Sequence, residues 1–159
     1  MKSLITYYSF SGNTDRIVKI FSKILEAKGA VDIQRLKLKD EAKTFIGQCR
    51  AARRREKPEL EGSVKYDAAS YDLILLGSPV WAFVPTPAIN TFLDKVSGLS
   101  GKRAVVLLTS GSGLGVGNCF KNIRKILETK GAGRIDEINI PDKKNRDGDF
   151  VTSSLQKIL

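Results

Sequence analysis

YYSFSGNTDR (7–16) ends an apolar run, SLITYY (3–8), and opens a helical pattern at once. The run is rich in β-formers, and behind it Ile17, Val18, Ile20, Phe21, Ile24 and Leu25 recur at helical spacing until Gly29 supplies a stop. The junction is therefore a strand-to-helix loop. The first turn of a helix carries N–H groups without intrahelical partners and a partial positive charge. An anion suits that place, and a phosphate uses both features. Ser9, Ser11 and Thr14 add hydroxyl donors, and Gly12 lets the backbone approach closely. No Lys or Arg lies within 9–15, so these donors are neutral dipoles. A simple helix cap needs one small polar residue. Here Ser9, Ser11, Asn13 and Thr14 crowd into six positions, which favours phosphate binding over capping.

Further along, strand and helix patterns alternate. VDIQRL (31–36) alternates apolar and polar, and a basic, helical stretch follows from Glu41 to about Arg55, ended by Pro58. DLILLGS (72–78) and RAVVLLT (103–109) are nearly unbroken apolar runs, as strands covered on both faces require. Ile89, Phe92, Leu93 and Val96 form a helical stripe behind Pro85 and Pro87. Phe120, Ile123, Ile126 and Leu127 mark the next helix, RIDEINIP (134–141) the last strand, and residues from Phe150 to Leu159 a closing amphipathic helix. Five strands, each followed by a helix, predict a parallel sheet with helices on both faces. In such a sheet the loop after the first strand lies at the carboxyl edge, where ligands bind near the topological switch point.

The 159 residues suit one domain, 1–159, able to bury a core without staples. No apolar run approaches the ~20 residues of a membrane span, and the N-terminus lacks a signal-peptide pattern, so a cytoplasmic location is expected. Cys49 and Cys119 form no CxxC pair, and there is no histidine. That composition excludes a Ser-His-Asp triad, a Cys-His dyad and the usual zinc sites. Chemistry is left to a cofactor, to backbone groups or to carboxylates. Net charge is +10, and residues 35–65 carry ten Lys/Arg against five Asp/Glu.

The loop Ser9-Phe10-Ser11-Gly12-Asn13-Thr14 resembles the phosphate loop of the flavodoxin family, whose pattern is Thr/Ser-x-Thr/Ser-Gly-Asn-Thr. GSPVWAFVPTP (77–87) resembles the second flavin loop of a branch that carries Gly-Ser-Pro-Val-Trp, and TSGSGLGVGN (109–118) resembles the third loop. All three follow expected strands in the right order, and FIGQCRAARRREKPEL (45–60) also looks like a segment of that branch.

The resemblance implies a three-layer α/β sandwich with a five-stranded parallel sheet in order 2-1-3-4-5, and FMN as cofactor. It places Ser9, Phe10, Ser11, Gly12, Asn13 and Thr14 at the phosphate. It places Pro79, Val80, Trp81, Ala82 and Phe83, with Ser110, Gly111, Ser112 and Gly113, along the isoalloxazine ring. Trp81, the only tryptophan, either flanks the ring or holds its loop, and Phe83 has the same two readings. Neither a catalytic side chain nor a metal is expected.

The implied function is electron transfer through the flavin; the alternative is an NAD(P)H-dependent flavin or quinone reductase. Two departures from the family bear on that choice. Residues 110–119 hold no aromatic, which leaves one flavin face open to a quinone or nicotinamide, or to cover by another subunit in an oligomer. The strong basic charge points to an acidic redox partner, such as a ferredoxin-like protein.

Other motifs carry less. Cys49 and Arg55 fit Cys-x5-Arg, but CRAARRR has no glycine and follows no strand. GSGLGVG lacks both Gly-Lys-Ser/Thr and the Gly-x-Gly-x-x-Gly spacing. RAARRREK (50–57) reads as a solvated helix face without aromatic interleaving, so no specific nucleic-acid partner is expected.

Overall fold

Strand β1 (Lys2–Tyr7) lies at the switch point of the sheet, between β2 (Ala30–Arg35) and β3 (Leu73–Trp81). Beyond β3 come β5 (Arg103–Ser110) and β6 (Ile135–Pro141), so the order is β2-β1-β3-β5-β6, all parallel. A two-residue β4 (Val84–Pro85) pairs antiparallel with the end of β3. Counting the parallel strands alone, this is the expected 2-1-3-4-5 order. The computed structural model describes residues 1–41 and 44–159.

Helices cover both faces. Ile5, Tyr7, Leu75, Val105 and Leu107 point to one side, against α1 (Asn13–Glu26) and α5 (Gly148–Gln156). Leu4, Ile74, Leu76, Val106 and Leu108 point to the other, against α2 (Phe45–Arg53), α3 (Pro87–Lys95) and α4 (Val116–Thr129). Adjacent residues of one strand thus serve opposite cores, which is why β3 and β5 carry no polar alternation. Pro87 opens α3, where its missing N–H costs nothing.

Three local differences from the sequence pattern stand out. The basic helix expected from Glu41 runs Phe45–Arg53, with the Thr44 side chain accepting from the Gly47 N–H; Ala42 and Lys43 lie outside the described residues. β3 does not stop at residue 78 but continues to Trp81 and folds back through Ala82 and Phe83. Both turn residues have positive φ, +48° and +70°, as a two-residue hairpin requires. The segment after β6 begins with a short 3-10 turn, Asp142–Lys144. Among the described residues no helix is long and apolar enough to cross a membrane.

Candidate functional site

At the carboxyl edge, the ends of β1, β3 and β5 surround a cavity of about 340 Å³. Phe10, Ser11, Asn13 and Thr14 form one wall, Pro79, Val80 and Trp81 a second, and Thr109, Ser110 and Gly111 a third; Phe45 and Asp142 complete it.

The first wall is the loop between β1 and α1. Gly12 caps the helix at φ +87°, a left-handed conformation that favours glycine, and its carbonyl accepts from the Arg16 N–H at 3.0 Å. A Cβ on Gly12 would meet nothing within 4 Å, so the loop is open on that side. The Asp15 N–H donates to Ser9 Oγ at 3.2 Å. Ser9 therefore acts as a cap, while the N–H groups of Asn13 and Thr14 have no partner among the described residues. Arg35, paired in register with Tyr7, donates from Nη2 to the Ser9 carbonyl at 2.9 Å. The loop is thus backed by a cation that the local sequence lacks. Asp15 is held away from the cavity by Tyr7 Oη, which donates at 2.6 Å, and by Lys19 at 2.8 Å. The hydrogen bonds of Lys19, then of Tyr7, hold its carboxyl below the usual range.

The second wall is aromatic. Trp81 is buried, and its ring meets Tyr8, Phe10 and Phe45 edge to face at 5.6, 5.7 and 5.7 Å between centroids. Phe10 and Phe45, 6.4 Å apart, are each about half exposed, at 46% and 53%. Phe45, the first residue of α2, thus joins Phe10 and Trp81 on this wall.

The third wall is small and pinned from outside. Thr109 Oγ1 and Thr14 Oγ1 share a buried hydrogen bond of 3.0 Å. Ser110 Oγ donates to Asn139 Oδ1 at 3.0 Å. Ser112 Oγ accepts from the Leu114 N–H, and Gly113 and Gly115 both have positive φ. A Cβ on Gly115 would fall 2.1 Å from Phe83 Cδ1, so the β3–β4 turn lies directly on the start of α4. Asn118 Nδ2 donates to the Phe83 carbonyl at 3.2 Å and fixes that contact.

Of the residues expected from sequence, the fold gathers Phe10, Ser11, Asn13, Thr14, Pro79, Val80, Trp81, Ser110 and Gly111 around the cavity. Ser9 and Gly12 shape the first loop, and Ala82, Phe83, Ser112 and Gly113 stand outside the lining. Sequence reasoning did not find Arg35, Phe45, Thr109 or Asp142. Arg35 and Asp142 were within reach: the first ends β2 and the second follows β6, both on the carboxyl edge. Phe45 gave no signal, because nothing in FIGQCRAAR fixes where its helix begins.

Residues 2–144 match the family described as Flavodoxin. Among solved structures, a flavoprotein in complex with FMN from Lactobacillus acidophilus is 24% identical with a TM-score of 0.67, covering 93% of this chain and 98% of that one. Oxidised flavodoxin 2 from Bacillus cereus is 19% identical at TM-score 0.65, with both chains fully covered. The apo form of an NADH:FMN oxidoreductase is 15% identical at TM-score 0.65, covering 99% of this chain and 88% of that one. No curated protein matches the chain in sequence. At these identities the structures testify to the fold, while the family match spans nearly the whole length; the chain belongs to the flavodoxin family.

Proposed function

We propose that the chain binds FMN in the edge cavity and passes electrons through it. The observation that carries this reading is the pair of unpartnered N–H groups, on Asn13 and Thr14, at one end of a cavity whose other side is aromatic. Such a cavity offers a polar seat for a dianion and an apolar slot for a flat ring. Bound FMN would supply reversible one- and two-electron chemistry. The chain's own part is to hold it: Ser9, Phe10, Ser11, Gly12, Asn13 and Thr14 at the phosphate, with Pro79, Val80, Trp81, Ala82, Phe83, Ser110, Gly111, Ser112 and Gly113 along the ring. Arg35 adds positive charge behind the phosphate seat. Trp81 and Phe45 exclude water from the ring's apolar side.

On this reading residues 1–159 form one cytoplasmic domain that exchanges electrons with an acidic, ferredoxin-like protein. The net charge of +10 supports that choice of partner. A second reading, an NAD(P)H-dependent flavin or quinone reductase, draws support from the third wall. Thr109, Ser110 and Gly111 are small and leave room for a flat substrate beside the ring.

Titration with FMN and with riboflavin tests the assignment. Ser11→Leu should weaken FMN far more than riboflavin, because only FMN carries the phosphate. Equal weakening would displace the phosphate from residues 9–14. Anaerobic reduction then separates the two readings. Steady NAD(P)H oxidation by the protein alone supports the reductase, and reduction only through a second redox protein supports the carrier.

A further inference from the structure

The chain holds a single tryptophan, and Trp81 sits on the cavity wall. Its aromatic neighbours are Phe10, Phe45 and Tyr8. A phenylalanine ring does not give up an electron to an oxidised indole; a phenol does when its proton can leave with the electron. Tyr8 is the one neighbour that meets that condition. Its ring lies 5.6 Å from the Trp81 ring at 82°, and both are buried. Its hydroxyl donates to Glu41 Oε1, with Gln48 Oε1 a second acceptor at 3.1 Å. The other tyrosines are engaged elsewhere: Tyr7 Oη with Asp15 on the opposite face of the sheet, Tyr66 stacked on Phe92, and Tyr71 Oη with Asp32.

We propose that Trp81, Tyr8 and Glu41 form a radical relay that carries an oxidising equivalent from the cavity wall to Tyr8. A small oxidising radical that reaches the cavity, of the class of the azide radical, takes an electron from the Trp81 indole, becomes its closed-shell anion, and leaves an indole radical cation. One electron then passes from the Tyr8 ring to Trp81, the Tyr8 O–H bond breaks, and its proton moves to the Glu41 carboxylate. The products are a restored indole, a neutral tyrosyl radical and a neutral carboxyl group. Positive charge on Trp81 and negative charge on the exposed Glu41 cancel in one step, so the two buried rings are left uncharged. Burial opposes ionisation of Tyr8, followed by its bond to Glu41, so the phenol stays protonated until its electron is taken. Arg35 acts on the Tyr8 phenol in the opposite sense, and more weakly than burial and the bond to Glu41. The relay depends on these side chains alone and not on what fills the cavity.

Pulse radiolysis with the azide radical, which oxidises indole ahead of phenol at neutral pH, tests the relay on the full chain. The tryptophanyl absorption should decay while the tyrosyl absorption grows at the same rate, independent of protein concentration. Tyr8→Phe keeps the ring and its packing; it should leave the tryptophanyl signal long-lived and abolish the tyrosyl growth. Glu41→Gln should slow the transfer about a hundredfold, the lower end of what a positioned proton acceptor contributes. The unmodified protein should transfer more slowly in deuterium oxide. Tyrosyl growth that survives in Tyr8→Phe overturns the assignment, because another tyrosine is then the acceptor. A rate indifferent both to Glu41→Gln and to deuterium overturns the coupled proton step.

Discussion

Thr14 and Thr109, ninety-five residues apart in sequence, join their hydroxyls in a 3.0 Å hydrogen bond beneath the edge cavity. The bond ties the first turn of α1 to the end of β5, so the first and third loops are set against each other rather than placed independently. Both residues are essentially buried, at 1% and 2% exposure. Replacing Thr109 by Val keeps the shape and leaves the Thr14 hydroxyl without that partner. The expected cost is about 1–3 kcal/mol, the penalty for an unsatisfied buried polar group. Urea denaturation reads it as a lower midpoint at unchanged slope. FMN affinity should fall with it, because the Thr14 N–H lies in the same turn. Unchanged stability would mean the bond is not made in solution.

How far the sequence was legible follows from the kind of signal each feature leaves. Layer order and helix faces were readable because β3 and β5 are apolar on consecutive residues and α1 and α4 repeat at helical spacing. The loop at 9–14 was readable because small hydroxyls, Gly12 and a helix start coincide in six residues. The cation behind it was not, since Arg35 reaches Ser9 only once β2 pairs with β1. Phe45 was hidden for a different reason: it enters the aromatic wall through the placement of a helix that touches the site with its first residue only. The hairpin at Ala82-Phe83 was missed because neither residue is the Asn or Gly that normally announces such a turn.

Gly12 and Gly115 both have positive φ, at +87° and +78°, yet substitution should affect them differently. Around Gly12 there is open space, so Gly12→Ala costs backbone strain alone, about 1–2 kcal/mol. At Gly115 the new methyl would lie 2.7 Å from the Phe83 Cα, a backbone atom that cannot step aside. Gly115→Ala should therefore lose a further ~1–3 kcal/mol by overpacking. It should also shift the Ala82-Phe83 turn and with it the environment of Trp81. Thermal melts and Trp81 fluorescence check both, and equal losses at the two glycines would refute the contact.

Arg35 should act on the phosphate and hardly at all on the ring. Its hydrogen bond to the Ser9 carbonyl and its charge both sit behind the first loop. Arg35→Gln should weaken FMN by about tenfold, on the order of 1.4 kcal/mol for one charge-assisted contact, and leave riboflavin nearly unaffected. Because the side chain is partly open to water, the loss should shrink as salt rises and screens the charge. Isothermal titration at low and high ionic strength gives the comparison. A loss equal for both ligands would assign Arg35 to holding the loop's shape.

Cys119 sets a limit on stability in alkali. Its side chain is fully buried in the core between α4 and the sheet, and burial pushes the thiol from its ordinary 9.0 up to about 12. The folded state thus keeps a proton that the unfolded chain gives up above pH 9. Stability from this group is complete below that value and is lost as pH rises towards 12. The loss amounts to about 1.4 kcal/mol per pH unit at most, for one proton held in the folded state only. Urea midpoints measured from pH 8 upward should fall, with the tyrosines held protonated by burial adding to the slope. Cys119→Ala lowers the starting stability by leaving a small cavity. Its alkaline slope should nonetheless be shallower by up to that amount, since one titrating group is gone. A slope identical to that of the parent chain would show that Cys119 ionises as freely folded as unfolded, and so that the base of α4 admits water.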